Sequence, residues 1–129
     1  MSDPKKILAQ SQHIAVLGVN KDSDSYANKI VRKIRALKKN AYPINPNYPK
    51  LFGEIVYESL EKCPVVPDLV VFVVNPTVGI EYLNSIAQLG ITYIWLQPGT
   101  ISTELLEEAK DLGLVPIEAC VLVVGNYLV

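Results

Sequence analysis

Short apolar runs alternate along the chain with stretches whose apolar residues recur every three or four positions. Ile14–Leu17 is the first such run, rich in β-branched residues and closed by Gly18, and it predicts a strand. From Tyr26 to Lys39 the period changes. Ile30, Val31, Ile34 and Leu37 form one stripe, and Lys29, Arg32, Lys33, Arg35, Lys38 and Lys39 occupy the other faces, which predicts an amphipathic helix stopped near Asn40. "AYPIN" is the next strand, weakened by Pro43, which suits a strand start or an edge. "PNYPKLFG" predicts a turn-rich crossover, with Pro46 and Pro49 fixing φ and Gly53 freeing it. "VYESLEKC" has the pattern of a short helix.

Asp68–Val74, "DLVVFVV", is apolar and valine-rich, as expected of a parallel strand covered on both faces. Pro76 fits the first turn of a helix that reaches Leu89 and stops at Gly90. "TYIWL" is a fourth strand, ending in "QPGT". Ser102 opens a further helix with Glu104 and Glu107 near its positive end. Gly113 stops that helix, and "LVPIE" is a fifth strand. This alternation predicts one α/β domain over residues 1–129: a Rossmann-like, doubly wound parallel sheet of about five strands in three αβα layers, with strand order 3-2-1-4-5.

Composition narrows the function. Half of the 129 residues are apolar and 19% are charged, which is globular and not disordered. The formal net charge of −1 covers an asymmetry: seven Lys or Arg and no acid lie between Ser25 and Gly53, but five acids and one Lys from Ile101 onward. Such a basic segment in a neutral chain suggests a local anion site and no nucleic-acid surface. Cys63 and Cys120 are isolated, and one histidine completes a poor ligand set, so no zinc site is expected. The N-terminal "MSDPKKILAQSQ" has no apolar signal core, and no run approaches the roughly 20 residues of a membrane span. A reduced cytoplasmic setting without membrane attachment is expected.

Ligands of open α/β sheets bind beyond the carboxyl ends of strands where the strand order reverses. That selects the loops at Gly18–Asp24, Asn45–Pro49, Asn75–Thr77 and Gln97–Thr100, and the segment after Glu118. The first loop leads into a helix N-terminus, whose amides and dipole favour a phosphate. Gly18 would allow close backbone approach, Asn20 would supply hydrogen bonds and Lys21 charge. The second strand ends Ile44-Asn45-Pro46 without the carboxylate that holds a bare ribose in NAD sites, and Lys50 follows. A ribose bearing an extra phosphate fits better, as in NADP or coenzyme A.

"IAVLGVNKD", "YPINPNYPKLFGEIVYESL", "DLVVFVVNP", "YIWLQPGTIS" and "AKDLGLVPIEAC" follow one another from about His13 to Cys120. In this order they resemble the small stand-alone CoA-binding domain proteins, relatives of the CoA-binding domain in the succinyl-CoA synthetase α subunit. The resemblance implies CoA as ligand, held across the strand ends with its adenine near the Asn-Pro turn. Gly18, Val19, Asn20 and Lys21 would meet the phosphates. Asn45, Pro46 and Lys50 would surround the adenosine 3′-phosphate, Asn75 and Pro76 would lie beside the ligand's middle, and Gln97 and Gly99 would face the pantetheine.

Three departures qualify the resemblance. Tyr26 stands where many relatives have a small residue, and it either crowds the cradle or stacks on the ligand. Glu118-Ala119 replaces a common Asp-Arg pair, removing a bidentate group. The apolar tail Val121–Val129 is expected to pack on the sheet or on a partner chain, in a homo-oligomer or with another protein.

Other chemistry-bearing residues have simpler roles. Trp95 lies inside a strand and Cys120 is a small buried hydrophobe, so both are expected in the core. His13 precedes the first strand, opposite the proposed site, and no base or nucleophile is placed for catalysis. Asn45-Pro46 joins a sharp bend to an expected unpaired amide. Non-enzymatic binding of CoA or an acyl-CoA, as a carrier or sensor, is the first reading. An NADP-linked oxidoreductase-type domain and an oligomerising structural domain with a non-binding pocket are the alternatives.

Overall fold

The computed structural model describes residues 3–128. The order along the chain is α1 (Pro4–Gln10), β1 (His13–Leu17), α2 (Tyr26–Ala36), β2 (Asn40–Ile44), β3 (Lys50–Leu51), β4 (Glu54–Ile55) and a 3-10 turn (Leu60–Lys62). It continues with β5 (Leu69–Phe72), α3 (Pro76–Gln88), β6 (Tyr93–Leu96), α4 (Thr103–Asp111), β7 (Val115–Glu118), α5 (Val121–Val124) and a 3-10 turn (Gly125–Leu128). Five parallel strands form one sheet in the order β2-β1-β5-β6-β7, and β3 with β4 makes a separate antiparallel hairpin. The Rossmann-like α/β class and the number of sheet strands agree with the sequence pattern.

The order of the strands does not. Numbered within the sheet, it is 2-1-3-4-5 and not 3-2-1-4-5. Proline chemistry explains the difference. The Pro43 carbonyl accepts from the Tyr57 amide and the Asn45 amide donates to the Tyr57 carbonyl, so these two residues of the β2 end face away from β1. A further strand on that side would meet a ring nitrogen with no proton, whereas an edge position leaves the β1–β2 ladder intact. β7 repeats the device at the opposite edge. Val115 donates to the Thr92 carbonyl, which turns Pro116 outward.

Because alternate side chains of a strand point to opposite faces, each apolar run feeds two cores. Ile14, Val16, Leu69, Val71 and Trp95 meet Leu8, Ile30, Ile34 and Val121 on the face covered by α1, α2 and α5. Ala15, Leu17, Val70, Phe72, Ile94 and Leu96 meet Leu83, Ile86, Leu105 and Ala109 on the α3–α4 face. Each fully buried aliphatic side chain stabilises by about 1.5–3 kcal/mol.

α1, the β3–β4 hairpin and the helical turns of the tail lie outside the sequence pattern. α1 is seven residues long, capped by Asp3, whose carboxylate accepts from the Lys5 amide at 2.9 Å, with Pro4 opening its first turn. At its other end the Lys39 Nζ donates to the Ala9 and Ser11 carbonyls at 2.9 and 2.7 Å. Burial pulls the Lys39 pKa down there, while Asp68 pulls it up. The apolar tail packs on the chain itself, against α1 and α2, with Val121 and Gly125 buried and Lys33 bonded to Asn126 at 2.6 Å. Val129 of the predicted tail lies outside the described residues.

The basic run is mostly used within the fold. Arg35 pairs bidentately with Glu54 of β4 and also donates to the Ala41 carbonyl, tying the hairpin to α2 and β2. Lys38, at φ 65, makes the left-handed turn expected at Asn40, and Asn40 instead begins β2.

Candidate nucleotide site

The chain leaves β1 for β2 on one side, and β5 adds on the other, so the crevice falls between the carboxyl ends of β1 and β5. Gly18 sits there at φ +104, and a Cβ built on it would lie 2.3 Å from the Val73 carbonyl oxygen. The glycine is therefore required by two backbones crossing, before any ligand is considered.

From Gly18 the loop folds on its own side chains. Asn20 donates to the Gly18 carbonyl and accepts from the Asp22 amide, and the Asp22 carboxylate accepts from the Asp24 amide. Asn28, 6% exposed, donates through Nδ2 to the Asn20 and Asp22 carbonyls at 2.6 and 2.7 Å, fixing the loop onto α2. Ser25 caps α2 by accepting from the Asn28 amide. The Tyr26 and Ala27 amides then remain as donors without an acceptor among the described residues, at the positive end of an 11-residue helix. Tyr26 does not fill this space: it is 65% exposed, with its ring beneath the Lys29 ammonium. Lys21 is exposed on the same loop, and Val19 is buried beneath it.

The other predicted residues separate into two kinds. Pro46, Lys50 and Gly99 are exposed in turns or the hairpin, whereas Asn45, Asn75 and Gln97 are committed to holding the loops. Asn45 donates to the Val19 carbonyl at 2.7 Å and accepts from the Asn47 amide, so the expected unpaired amide is paired. It clamps the end of β2 to the first loop. Asn75 caps α3 by accepting from the Val78 amide, with Pro76 at the first helical position.

Gln97 is 4% exposed and turns inward. Its Oε1 accepts from the Trp95 indole at 3.1 Å and the Val121 amide at 2.8 Å, while Nε2 donates to the Cys120 sulfur. Trp95 also donates to the Ala119 carbonyl and is fully buried, as its place in a strand predicts.

Two depressions flank the end of β2. One, of about 360 Å³, lies beside the Asn45-Pro46 turn and is walled by Tyr48, Pro49, Tyr57 and Lys62. The other, of about 300 Å³, lies between α2 and the hairpin, with Val31, Pro43 and Val56 as its floor and Arg32 and Phe52 at its rim. Val19, Ser23 and Asn28 also line the second cavity, which makes it continuous with the first loop. Lys50 lines neither. Neither Phe52 nor Arg32 is singled out by the sequence pattern, although the Phe-Gly pair at the tip of the two-residue hairpin is a local signal for the first.

At the amino end of the sheet, His13 Nδ1 bonds the Tyr42 hydroxyl at 2.8 Å, and the His13 amide donates to Asp68. Nearby, burial and then the Glu61 carboxylate push the Cys63 thiol up to about 11. The fraction of thiolate at pH 8 then falls about 200-fold below that of an ordinary thiol. In the native protein, iodoacetamide at pH 8 should modify Cys63 about two orders of magnitude more slowly than in urea, with the native rate climbing until about pH 11. Peptide mass spectrometry over a time course reads both.

A profile of the family described as "CoA binding domain" matches residues 12–126. The chain belongs to this family. Among proteins of curated function, none matches it. Solved structures of similar shape include a hypothetical protein from Pyrococcus horikoshii OT3, with TM-score 0.88, 25% identity, and coverage of 96% of this chain and 88% of the other. A conserved hypothetical protein from Pyrococcus furiosus shares 30% identity over 87% of this chain and 97% of its own, with TM-score 0.80. The dinucleotide-forming acetyl-coenzyme A synthetase 1 of Ca. Korarchaeum cryptofilum shares the fold at TM-score 0.71 and 23% identity, over 90% of this chain but only 27% of that one.

Proposed function

We propose that this CoA-binding domain holds coenzyme A or an acyl-CoA at the carboxyl ends of its strands, as a cytosolic carrier or sensor without catalytic chemistry. The observation that carries the reading is the pair of Tyr26 and Ala27 amides left as donors where the loop from Gly18 enters α2, in a chain of this family. The pyrophosphate takes those amides and the Lys21 ammonium. Asp22 and Asp24 flank the same loop, so the ammonium is needed to offset two carboxylates that would repel the ligand.

The non-catalytic part rests on where the reactive groups lie. His13 is bonded to Tyr42 at the far end of the sheet, and the raised pKa of Cys63 keeps it protonated near neutrality. Cys120, at the near end, accepts from a buried amide.

Titration calorimetry tests the proposal with CoA, acetyl-CoA and NADPH as ligands. Micromolar CoA binding is expected, weakening as salt rises, with NADPH at least tenfold weaker. Lys21→Ala should lower CoA affinity about three- to tenfold at low ionic strength and less at high. Equal affinity for CoA and NADPH would sink the assignment, and turnover of acetyl-CoA by the pure protein would sink its non-catalytic part.

A further inference from the structure

The cavity between α2 and the β3–β4 hairpin has four features that a simple packing gap lacks. Its floor is apolar: Val31, Pro43 and Val56. Phe52 stands at its rim in the left-handed region, φ 53, with 63% of its surface exposed. Phenylalanine is a poor choice for that turn position, which Gly or Asn occupies at lower cost, and the exposed ring forgoes burial as well. Asn28 lines the cavity while more than nine-tenths buried, and its Nδ2 is committed to two carbonyls. Its Oδ1 is left as an acceptor with no donor among the described residues, and it is not sealed from solvent. Arg32 spends one nitrogen on the Ser23 carbonyl at 2.9 Å and is otherwise exposed at the same rim.

An apolar slot, an aromatic ring at its mouth, a buried acceptor and an arginine together fit a flat heterocycle that carries an amino group and a phosphate. The neighbouring negative charge is neutralised, because Glu54 is held by Arg35. Val19 and Ser23 join the slot to the loop below the α2 amides.

We propose that this slot takes the adenosine 3′-phosphate end of the ligand: Phe52 stacks on the base, Asn28 Oδ1 accepts from its exocyclic amine, and Arg32 meets the 3′-phosphate. This rests on the CoA reading above and changes where the nucleotide goes. The resemblance implied the Asn45-Pro46 turn and Lys50. Asn45 is already committed to Val19 and Asn47, and Lys50 lines neither depression.

The test measures binding of CoA, 3′-dephospho-CoA and adenosine 3′,5′-bisphosphate to the full chain and three variants. Phe52→Asn removes the ring and suits the left-handed turn, so the fold is retained. It should weaken CoA and the bisphosphate about tenfold. Arg32→Gln should weaken CoA about tenfold and dephospho-CoA by less than twofold, abolishing the discrimination between them. Lys62→Gln, in the depression beside the Asn-Pro turn, should change neither.

Wild-type CoA binding left intact by both Phe52→Asn and Arg32→Gln overturns the slot while leaving the CoA reading standing. Loss of phosphate discrimination in Lys62→Gln instead overturns it in favour of the other depression. Absence of CoA binding by the wild-type chain removes the CoA reading, and the slot with it.

Discussion

Gly18→Ala should unfold the protein at a urea concentration lower by about 1.5–2 M. The added methyl would meet the Val73 carbonyl at 2.3 Å, at a backbone angle that L residues rarely adopt. Left-handed strain alone costs about 1–3 kcal/mol, and pushing β5 away from β1 adds to it, so a loss of about 3–4 kcal/mol is expected. At a urea slope of about 2 kcal/mol/M this is the stated shift. Affinity for CoA would fall too, since the loop that presents the Tyr26 and Ala27 amides starts at this crossing. An unchanged midpoint would show that the Val73 segment yields at little cost.

Gln97→Ala should cost about 2–4 kcal/mol, because it opens a buried space and orphans the Val121 amide. Trp95 keeps the Ala119 carbonyl but loses its second acceptor. Gln97→Met separates the two causes: it fills the volume without supplying an acceptor, and should recover about half of the loss. Unfolding followed by Trp95 fluorescence measures both variants, and the emission in the folded baseline reports the changed indole environment. If CoA affinity per folded molecule is unchanged in Gln97→Met, the residue acts on the site through the fold and not by touching the ligand. If both variants are as stable as the wild type, the inward hydrogen-bond network contributes nothing net.

The strands were legible because a parallel sheet covered on both faces leaves no solvent side. Runs such as Leu69–Phe72 and Tyr93–Leu96 are therefore apolar without interruption. Helix limits were legible where local chemistry sets them, as at Ser25, Asn75 and Ser102, each accepting from an amide three residues on. α1 and the β3–β4 hairpin were not. Seven residues and a pair of two-residue strands are too short for a period to show, and their order comes from contacts with distant partners such as Lys39 and Arg35. Strand order differs from the expectation although Pro43 bears on it: of the strand start or the edge that a proline suits, the structure uses the edge, with Pro43 facing away from β1.

The site was half legible for the same reason. Loop positions follow from glycines and helix starts, which are local. Side-chain commitments are not: the partners of Asn45 include Val19 and those of Gln97 include Val121, each more than twenty residues away in sequence. No spacing rule announces that these amides turn inward. Nor does the sequence show that a basic helix face and a hairpin tip enclose one slot.

The outward-facing prolines have a consequence for assembly. A neighbouring chain trying to continue the sheet past β2 would find the Ala41 carbonyl taken by Arg35, the Pro43 carbonyl taken by Tyr57, and no proton on the proline nitrogen. Past β7 it would meet Pro116 in the same orientation. Both margins resist templated strand addition, the route by which open sheets polymerise into fibrils.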